Sequence, residues 1–233
     1  MSPPLEMPRQ LPLDLGHGVG YSRDELVVSR ANAEAAALID RWPDWPAPVV
    51  VLAGPSGSGK SHLAAIWRDA AEALPLSGTV IGDAVAGLGG RPALIDDVDG
   101  GRIDEQGLFH LINAVHSAGS HLLLTARRFP MAWGVSLPDL SSRLKAAATV
   151  EIHEPDDLLL AGVVTKLFAD RQVEVEPHVV QYLVRRIERS LATAMRVVER
   201  LDRAALEQKT RITRALAAEV VNAMDEGQGE LEL

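Results

Sequence analysis

The glycine-rich segment "GPSGSGKS" at residues 54–61 limits the possible folds more than any other part of the sequence. It follows directly on the apolar run "VVVLA", which is typical of a strand buried in a parallel sheet. The pattern G-x-x-x-x-G-K-[ST] between such a strand and a helix is typical of a P-loop, whose backbone N–H groups converge on phosphate oxygens. This setting favours a nucleotide-binding α/β fold over a glycine-rich turn with a solvated lysine.

The residue types of this loop predict separate roles in holding a nucleotide. The glycines let the backbone turn, and the helix that begins here adds its positive end. Lys60 is expected to reach the β- and γ-phosphates, and the Ser61 hydroxyl to coordinate Mg²⁺. The predicted cofactors are therefore ADP or ATP with Mg²⁺. The predicted nucleotide-binding residues of the loop are Gly54, Pro55, Ser56, Gly57, Ser58, Gly59, Lys60, Ser61 and His62.

Polar residues follow two further apolar runs, at the strand ends where α/β sheets bind their ligands. In "PALIDDVDG", Asp96 is expected to hold Mg²⁺, and Asp97 to orient or deprotonate an attacking water. Asp99 is interpreted as surface charge. At the end of "HLLLTA", Thr125 either hydrogen-bonds the γ-phosphate or the attacking water, or simply ends a strand. The sequence leaves both roles of Thr125 open.

Short apolar runs alternate with helical stretches up to residue 153, which predicts an α/β fold with a parallel sheet. A helix opened by Ser29 is expected over 29–42, and another from Gly59 to about Leu74. The later sequence has helical period and no strand signal, so an all-helical appendage of about four helices is predicted. The expected strands are 49–53, 79–82, 92–96, 121–126 and 149–152.

The expected domain organisation follows from these patterns. Residues 1–20 are expected to form a flexible tail, 21–154 the nucleotide-binding base, 155–225 a helical lid and 226–233 an acidic tail. The adenine is expected near "DELVVSRAN", with Val27 and Val28 as apolar walls.

The composition excludes several classes of protein. The chain has 233 residues and a formal net charge of −9, which argues against a broad phosphate-binding surface but leaves local patches possible. It has no cysteine, so disulfides, thiolate chemistry and cysteine-based zinc sites are excluded. No secretory signal is visible, and no apolar run approaches the roughly 20 residues of a membrane span. A cytoplasmic protein with no membrane partner is predicted.

An apolar stripe precedes the predicted base, in "RQLPLDLG" at residues 9–16. Pro12 disfavours a helix, so the segment is expected to be extended. Its side chains then alternate, and one side carries a leucine stripe. Such a stripe either docks in an apolar groove of a partner or forms an edge strand or staple on the chain's own core. The predicted partner-binding residues are Gln10, Leu11, Leu13 and Leu15.

The order of these parts resembles the AAA+ ATPases, and within them the DnaA family with its Hda-type regulators. The resemblance covers nearly the whole chain and is carried by "GPSGSGKSHL", "LIDDVD", "LLLTARRFP", "LPDLSSRLKAA" and "RSLATAMRVVERLDRA". It implies an α/β fold with an AAA+ αβα P-loop base, a five-stranded parallel sheet and a small all-helical lid domain. The segment "RQLPLDL" looks like the motif by which Hda-type proteins bind the sliding clamp.

The resemblance also implies partners and a mechanism. Gln10 and the leucine stripe would bind the sliding clamp, the β subunit of DNA polymerase III, and so bring the chain to DNA indirectly. Arg143 matches the arginine finger that acts in trans on ATP bound by DnaA, although a surface arginine more commonly pairs with a neighbour such as Asp139. The implied function is regulatory inactivation of DnaA, with a weak ATPase activity of its own and a possible homodimer.

One position departs from the family pattern. The lid helix of DnaA-type proteins presents a sensor arginine to the phosphates, and the matching residue here is Ala192. Arg196, one helical turn later, or Arg189 would have to substitute, or else the lid does not read the γ-phosphate. The segment 185–214 also holds nine Arg or Lys residues against four acids, which indicates a solvated face or a surface for DNA or an acidic partner.

Two other functions remain open from the sequence. A DnaA-like or helicase-loader-like ATPase that engages DNA itself would bind DNA without a clamp, although the acidic balance counts against it. A small-molecule P-loop kinase would need a substrate-binding lid, and it leaves the leucine stripe without a purpose.

Overall fold

A five-stranded parallel sheet lies at the centre of the base in the computed structural model, which describes residues 22–79, 81–85 and 87–229. The strands are β1 (Val49–Ala53), β2 (Leu74–Leu76), β3 (Ala93–Ile95), β4 (Leu122–Ala126) and β5 (Ala148–Glu151). They lie in the order β2-β3-β4-β1-β5, and every pair is parallel. The predicted α/β fold with a five-stranded parallel sheet is therefore confirmed. The tail with Gln10 and the leucine stripe lies outside the described residues.

Helices flank the sheet and form the C-terminal part of the chain. Those of the base are α1 (Ala33–Asp40), α2 (Lys60–Ala71), α3 (Gly82–Val85), α4 (Glu105–Ala118) and α5 (Pro138–Lys145). Those that follow are α6 (Asp157–Asp170), α7 (Pro177–Arg186), α8 (Leu191–Gln208) and α9 (Arg214–Gly229). Within the described ranges, none of the helices has the length and apolar character needed to cross a membrane.

The central strands are apolar throughout because helices cover both faces of the sheet. Successive side chains of a strand point to opposite faces. Val49 and Val51 of β1 pack with α4 and α5 on one face, and Val50 and Leu52 pack with α1 and α2 on the other. Full burial of such a side chain contributes about 1.5–3 kcal/mol, so the two layers hold β1 and its P-loop end firmly.

Two predicted helices are shorter in the structure. The helix predicted over 29–42 begins at Ala33 and ends at Asp40, and Ser29 does not open it. The Ser29 hydroxyl instead accepts a hydrogen bond from the backbone N–H of Ala31 (3.1 Å), which forms a turn before the helix. Helix α2 ends at Ala71, three residues early, because Glu72 adopts a left-handed φ of 49° that closes the helix.

The strand predicted at residues 79–82 is wrong. The edge strand beside β3 is β2, and Gly82 already begins α3. Pro75 sits in the middle of β2, where the sequence pattern gave no strand signal. Proline is tolerated there because an edge strand pairs on one side only. The pairing of β2 with β3 joins Leu74 to Ala93 and Leu76 to Ile95.

The helices α6 to α9 have a core of their own, which confirms the predicted helical lid. It includes Leu160 and Val164 of α6, Leu183 of α7, Val198 of α8 and Leu216 of α9. The acidic tail predicted from residue 226 begins inside α9, which extends to Gly229, and this correction has a simple reason. Adding residues to an existing helix costs little once its earlier turns are packed.

Asp104 fixes the start of α4 and the loop before it. Its carboxylate accepts hydrogen bonds from the backbone N–H groups of Gly107 (2.9 Å) and Ile81 (3.2 Å). We expect Asp104→Ala to lower the free energy of unfolding by about 1–2 kcal/mol at pH 7, because two backbone donors lose their acceptor. Asp104→Asn keeps an acceptor oxygen and should lose less. Urea unfolding of the three proteins measures the difference.

The same residue predicts a pH dependence. The hydrogen bonds from Gly107 and Ile81 lower the pKa of Asp104. A carboxyl whose pKa is depressed in the folded state stabilises the fold above its unfolded pKa of about 4 and loses this effect as the pH falls through the folded value. The difference in stability between wild type and Asp104→Ala should therefore shrink between pH 5 and about pH 3. An unchanged difference would contradict the assignment.

Candidate nucleotide-binding site

The P-loop connects β1 to α2, and its glycines are required by the backbone geometry. Gly57 and Gly59 have φ angles of +73° and +100°, a region that other residues rarely adopt. A Cβ atom on Gly57 would lie 2.1 Å from the Oγ of Ser190 in the lid. The Ser58 hydroxyl is buried and has no hydrogen-bond partner within the described part of the chain. The loop thus has the backbone shape that a phosphate cradle requires.

Lys60 is buried at the start of α2, with an exposed fraction of 7 %. Its Nζ donates hydrogen bonds to the carbonyl oxygens of Gly54 (2.8 Å) and Pro55 (2.7 Å). Burial lowers the pKa of Lys60, and the nearby carboxylates of Asp97 and Asp96 oppose this effect. The ammonium is therefore held inside the loop by backbone oxygens, which phosphate oxygens could replace.

Asp96 follows β3 and is the centre of a polar network at the carboxyl edge of the sheet. Its Oδ1 accepts hydrogen bonds from the hydroxyls of Ser61 (3.1 Å) and Thr125 (2.5 Å). The Thr125 oxygen also accepts one from the backbone N–H of Asp97 (2.7 Å). Three predicted site residues from α2, β3 and β4 therefore meet. Because the single Thr125 hydroxyl proton goes to Asp96, Thr125 positions that carboxylate in this arrangement.

Asp97 forms an ion pair with Arg127, a residue that sequence reasoning missed. The backbone of Asp97 is left-handed, with φ +54°. Its carboxylate accepts hydrogen bonds from Nε (3.1 Å) and Nη2 (2.9 Å) of Arg127, and this pairing raises the pKa of the arginine. The carboxylate predicted to orient or deprotonate a water is thus engaged by a guanidinium on both of its oxygens.

Asp99 is a structural residue, and its interpretation as surface charge is wrong. Only 1 % of its side chain is exposed. Its carboxylate accepts hydrogen bonds from the backbone N–H groups of Arg127 (2.7 Å) and Arg128 (3.1 Å). These bonds fix the segment after β4, so Asp99 places the backbone from which Arg127 reaches Asp97. The only sequence signal was the pair of arginines directly after "LLLTA".

The first turn of α8 in the lid contacts the P-loop. The backbone N–H of Leu191 donates a hydrogen bond to the carbonyl oxygen of Gly57 (2.8 Å). A Cβ atom on Gly59 would lie 3.1 Å from the Cδ1 of Leu191. Ser190 caps this helix by accepting a hydrogen bond from the backbone N–H of Thr193 (3.3 Å). Ala192, which the resemblance matches to the sensor arginine, lies in the same turn and is exposed.

The two arginines considered as substitutes for Ala192 make their hydrogen bonds away from the P-loop. Arg196 donates from Nη2 to the Thr193 hydroxyl (3.0 Å) on its own helix. Arg189 is held at the hinge between base and lid, where Nη2 contacts the Asp157 carboxylate (2.7 Å). Among the described residues, neither arginine makes a hydrogen bond to the P-loop.

The residues predicted around the adenine lie where the base meets the lid. Val27 lies against Gly162 of α6. A Cβ atom on this glycine would be 2.7 Å from the Cγ1 of Val27. Val28 is exposed, so of the two predicted walls only Val27 packs against the lid. His62 lies on α2, and the burial of its imidazole lowers its pKa.

Arg143 lies on α5, away from the hydrogen-bond network of the P-loop. Its neighbours Leu140 and Leu144 are buried and anchor the helix in the base. The Arg143 side chain is exposed, and no carboxylate of the described residues lies within 4 Å of it. The pairing with Asp139 that the sequence left open is therefore not formed.

The side chains of the site fit a nucleotide with Mg²⁺. The Ser61 hydroxyl and the Asp96 carboxylate are the hard oxygen ligands that Mg²⁺ prefers, and they lie 3.1 Å apart. Lys60 and the glycine backbone could hold phosphates, and the unpartnered hydroxyl of Ser58 is a further polar group in the same loop.

The lid and the whole chain are similar to known proteins. The family model "Hda, lid domain" matches residues 165–220. The chromosomal replication initiator protein DnaA of Sphingopyxis alaskensis is 29% identical over 215 residues, which cover 79% of this chain and 47% of that protein. The chain spans about half the length of the curated relatives it matches.

Two solved DnaA structures have the same fold. Domain III of the Thermotoga maritima replication initiation protein DnaA gives a TM-score of 0.73 at 16% identity, and the match covers 87% of this chain and 96% of that one. AMPPCP-bound DnaA from Aquifex aeolicus gives a TM-score of 0.68 at 18% identity, with 80% and 66% covered. These matches confirm the resemblance predicted from the sequence: the chain has the fold of DnaA domain III, and residues 165–220 match the lid domain of Hda.

Proposed function

We propose that this chain is a nucleotide-bound regulator of the initiation of chromosome replication, which binds the sliding clamp and stimulates ATP hydrolysis by DnaA. Arg143 acts in trans on the ATP of a neighbouring DnaA molecule, which is thereby inactivated. The similarity of the lid to Hda and of the sequence to DnaA supports a DnaA-related replication regulator.

The observation that carries the proposal is the exposed and unpaired guanidinium of Arg143 on a firmly anchored helix. No carboxylate of the described chain lies within 4 Å of it, so the guanidinium is free to meet a group on a partner. The turn Pro130–Ala132 packs beside α5 and exposes Phe129 (45%) and Met131 (65%). Exposed apolar side chains beside an unpaired arginine are typical of a protein interface.

The nucleotide of this chain has a structural role in the proposal. The contact of Leu191 with Gly57 joins the lid to the loop that would hold the phosphates, so a bound nucleotide would fix the lid on the base. Its hydrolysis would be weak because Arg127 engages both carboxylate oxygens of Asp97, and because Ala192 offers no cation. The AMPPCP-bound DnaA with the same fold supports the binding of ADP or ATP.

The clamp contact of the proposal rests on residues 10–15 of the sequence. An extended peptide binds such a partner by a glutamine amide at the rim of a pocket and by alternate leucines in an apolar groove. Leu11, Leu13 and Leu15 have the required alternation, with Gln10 ahead of them.

A pull-down on immobilised sliding clamp tests this contact. The double variant Gln10→Ala, Leu13→Ala should lose about tenfold or more of the binding, because it removes the amide and a central apolar anchor. Asp14→Ala is the control, since alternation in an extended segment would put this residue away from the leucine stripe, and the variant should bind as wild type does. Equal capture of the double variant and the control would refute the clamp contact.

A further inference from the structure

Two arginines contact one aromatic side chain of the lid, and two further arginines lie beside them in the sequence. Arg185 and Arg186 end α7, Arg211 lies in the turn before α9, and Arg214 begins α9. We call these four residues the arginine cluster. Tyr182 lies one helical turn before Arg185 and Arg186 on α7. None of these five residues belongs to the nucleotide site, and Arg143 lies on a different helix, α5.

Tyr182 holds two guanidiniums from different helices. The Cζ of Arg214 lies 5.2 Å from the centroid of the Tyr182 ring, and the Cζ of Arg186 lies 5.9 Å from it. Both distances are within the range of a cation–π interaction. The ring is partly buried against the lid core, so its orientation is fixed. The tyrosine therefore holds two cations in defined positions on a rigid surface.

The arginine cluster has no anionic partner in the described chain. All four side chains are exposed, and no carboxylate of the described residues lies within 4 Å of any of them. By contrast, Arg189 and Arg171 of the same lid each face an aspartate. The dipole of α7 favours Arg185 and Arg186 in its last turn, whereas Arg214 in the first turn of α9 opposes the dipole of that helix, and like charges close together repel.

We propose that the arginine cluster binds the phosphate backbone of duplex DNA. Guanidinium forks bind phosphates in a bidentate manner, and all four cations of the cluster are arginines rather than lysines. A duplex offers closely spaced phosphates, so several of these side chains can be engaged together and release the counterions condensed there. The chain has a net charge of −9, so the arginine cluster is a local region of positive charge on an acidic protein. Its electric field favours an orientation in which this part of the lid faces a polyanion.

The DNA contact goes beyond the proposed regulation of DnaA and does not require it. It needs neither the clamp nor a bound nucleotide, so it is measured with the full-length chain and a duplex alone. Its function would be to hold the lid on the DNA that passes through a clamp, as a second contact besides the peptide.

Fluorescence anisotropy of a labelled 20-base-pair duplex, titrated with the chain at 50–200 mM KCl, tests the proposal. Arg186→Ala, Arg214→Ala should weaken binding about tenfold or more at the lowest salt, and it should reduce the slope of log affinity against log salt by about two. Arg41→Ala, Arg91→Ala is the matched control, because it removes the same charge from two exposed arginines of the base that also lack an ion pair.

The control variant should bind DNA as wild type does. The DNA affinity of Tyr182→Ala should lie between those of wild type and the double variant Arg186→Ala, Arg214→Ala, because the substitution frees the guanidiniums without removing them. No DNA binding by wild type, or an equal loss in both double variants, would overturn the proposal. Polyglutamate is then added as a competitor. If it displaced the labelled duplex at a lower concentration of negative charge than unlabelled duplex does, the proposal would also be overturned, in favour of an acidic protein partner.

Discussion

Replacement of Arg143 by alanine is expected to lower the stimulated hydrolysis of DnaA-bound ATP by about 10³-fold or more, the range over which arginine fingers act in other nucleotide triphosphatases. The guanidinium would stabilise the charge that develops on the transferred phosphoryl group. The substitution should leave the free energy of unfolding within about 0.5 kcal/mol of wild type, because the buried Leu140 and Leu144 carry the packing of α5. Phosphate release in the presence of DnaA, clamp and duplex measures the effect.

Two further variants of α5 separate a finger from a general loss of charge. Lys145→Ala removes an exposed cation two residues away and should keep the stimulation. Arg143→Lys keeps the charge but loses the planar fork, so it should recover little of the activity. Full stimulation of DnaA by the Arg143→Ala chain would refute the mechanism.

The second large effect is expected at Lys60. Lys60→Ala should weaken the binding of ADP or ATP by about 10²-fold or more, because a charge-assisted hydrogen bond to phosphate is lost from a buried position. The contact has no replacement, since Arg189 and Arg196 make their hydrogen bonds within the hinge and the lid. Equilibrium titration with a fluorescent ADP analogue measures the affinity.

Controls for this variant address both the charge and the fold. Lys145→Ala removes the same charge from an exposed position and should bind the nucleotide normally. Lys60→Ala leaves the carbonyl oxygens of Gly54 and Pro55 without their donor, so thermal unfolding of both variants should be compared. Unchanged affinity in a folded Lys60→Ala chain would mean that the loop does not bind phosphate.

Much of the fold follows from local sequence patterns. The run "VVVLA" predicts β1 because a strand covered on both faces is apolar throughout, and the structure buries each of its residues. The helical period after residue 153 predicts the lid, since amphipathic spacing repeats along α7 and α8. Strand ends in a parallel sheet meet at one edge, so the association of Asp96 with Thr125 could also be expected.

The remaining features depend on contacts between residues distant in sequence. Pro75 removes the strand signal from β2, and only its place at the sheet edge makes it acceptable. Asp99 is buried because the backbone after β4 supplies its donors, and nothing near it in sequence indicates this. The pair of Asp97 with Arg127 likewise joins two loops whose proximity is set by the sheet.

Single-turnover hydrolysis of labelled ATP, bound beforehand to DnaA, measures whether this chain stimulates DnaA from a clamp on DNA. The chain would be added with unlabelled ADP, with or without a clamp loaded on DNA. We expect the label to be converted to ADP only when the loaded clamp is present. The double variant Gln10→Ala, Leu13→Ala and the single variant Arg143→Ala should each abolish the conversion. Conversion that is equally fast without the clamp, or with either variant, would contradict it.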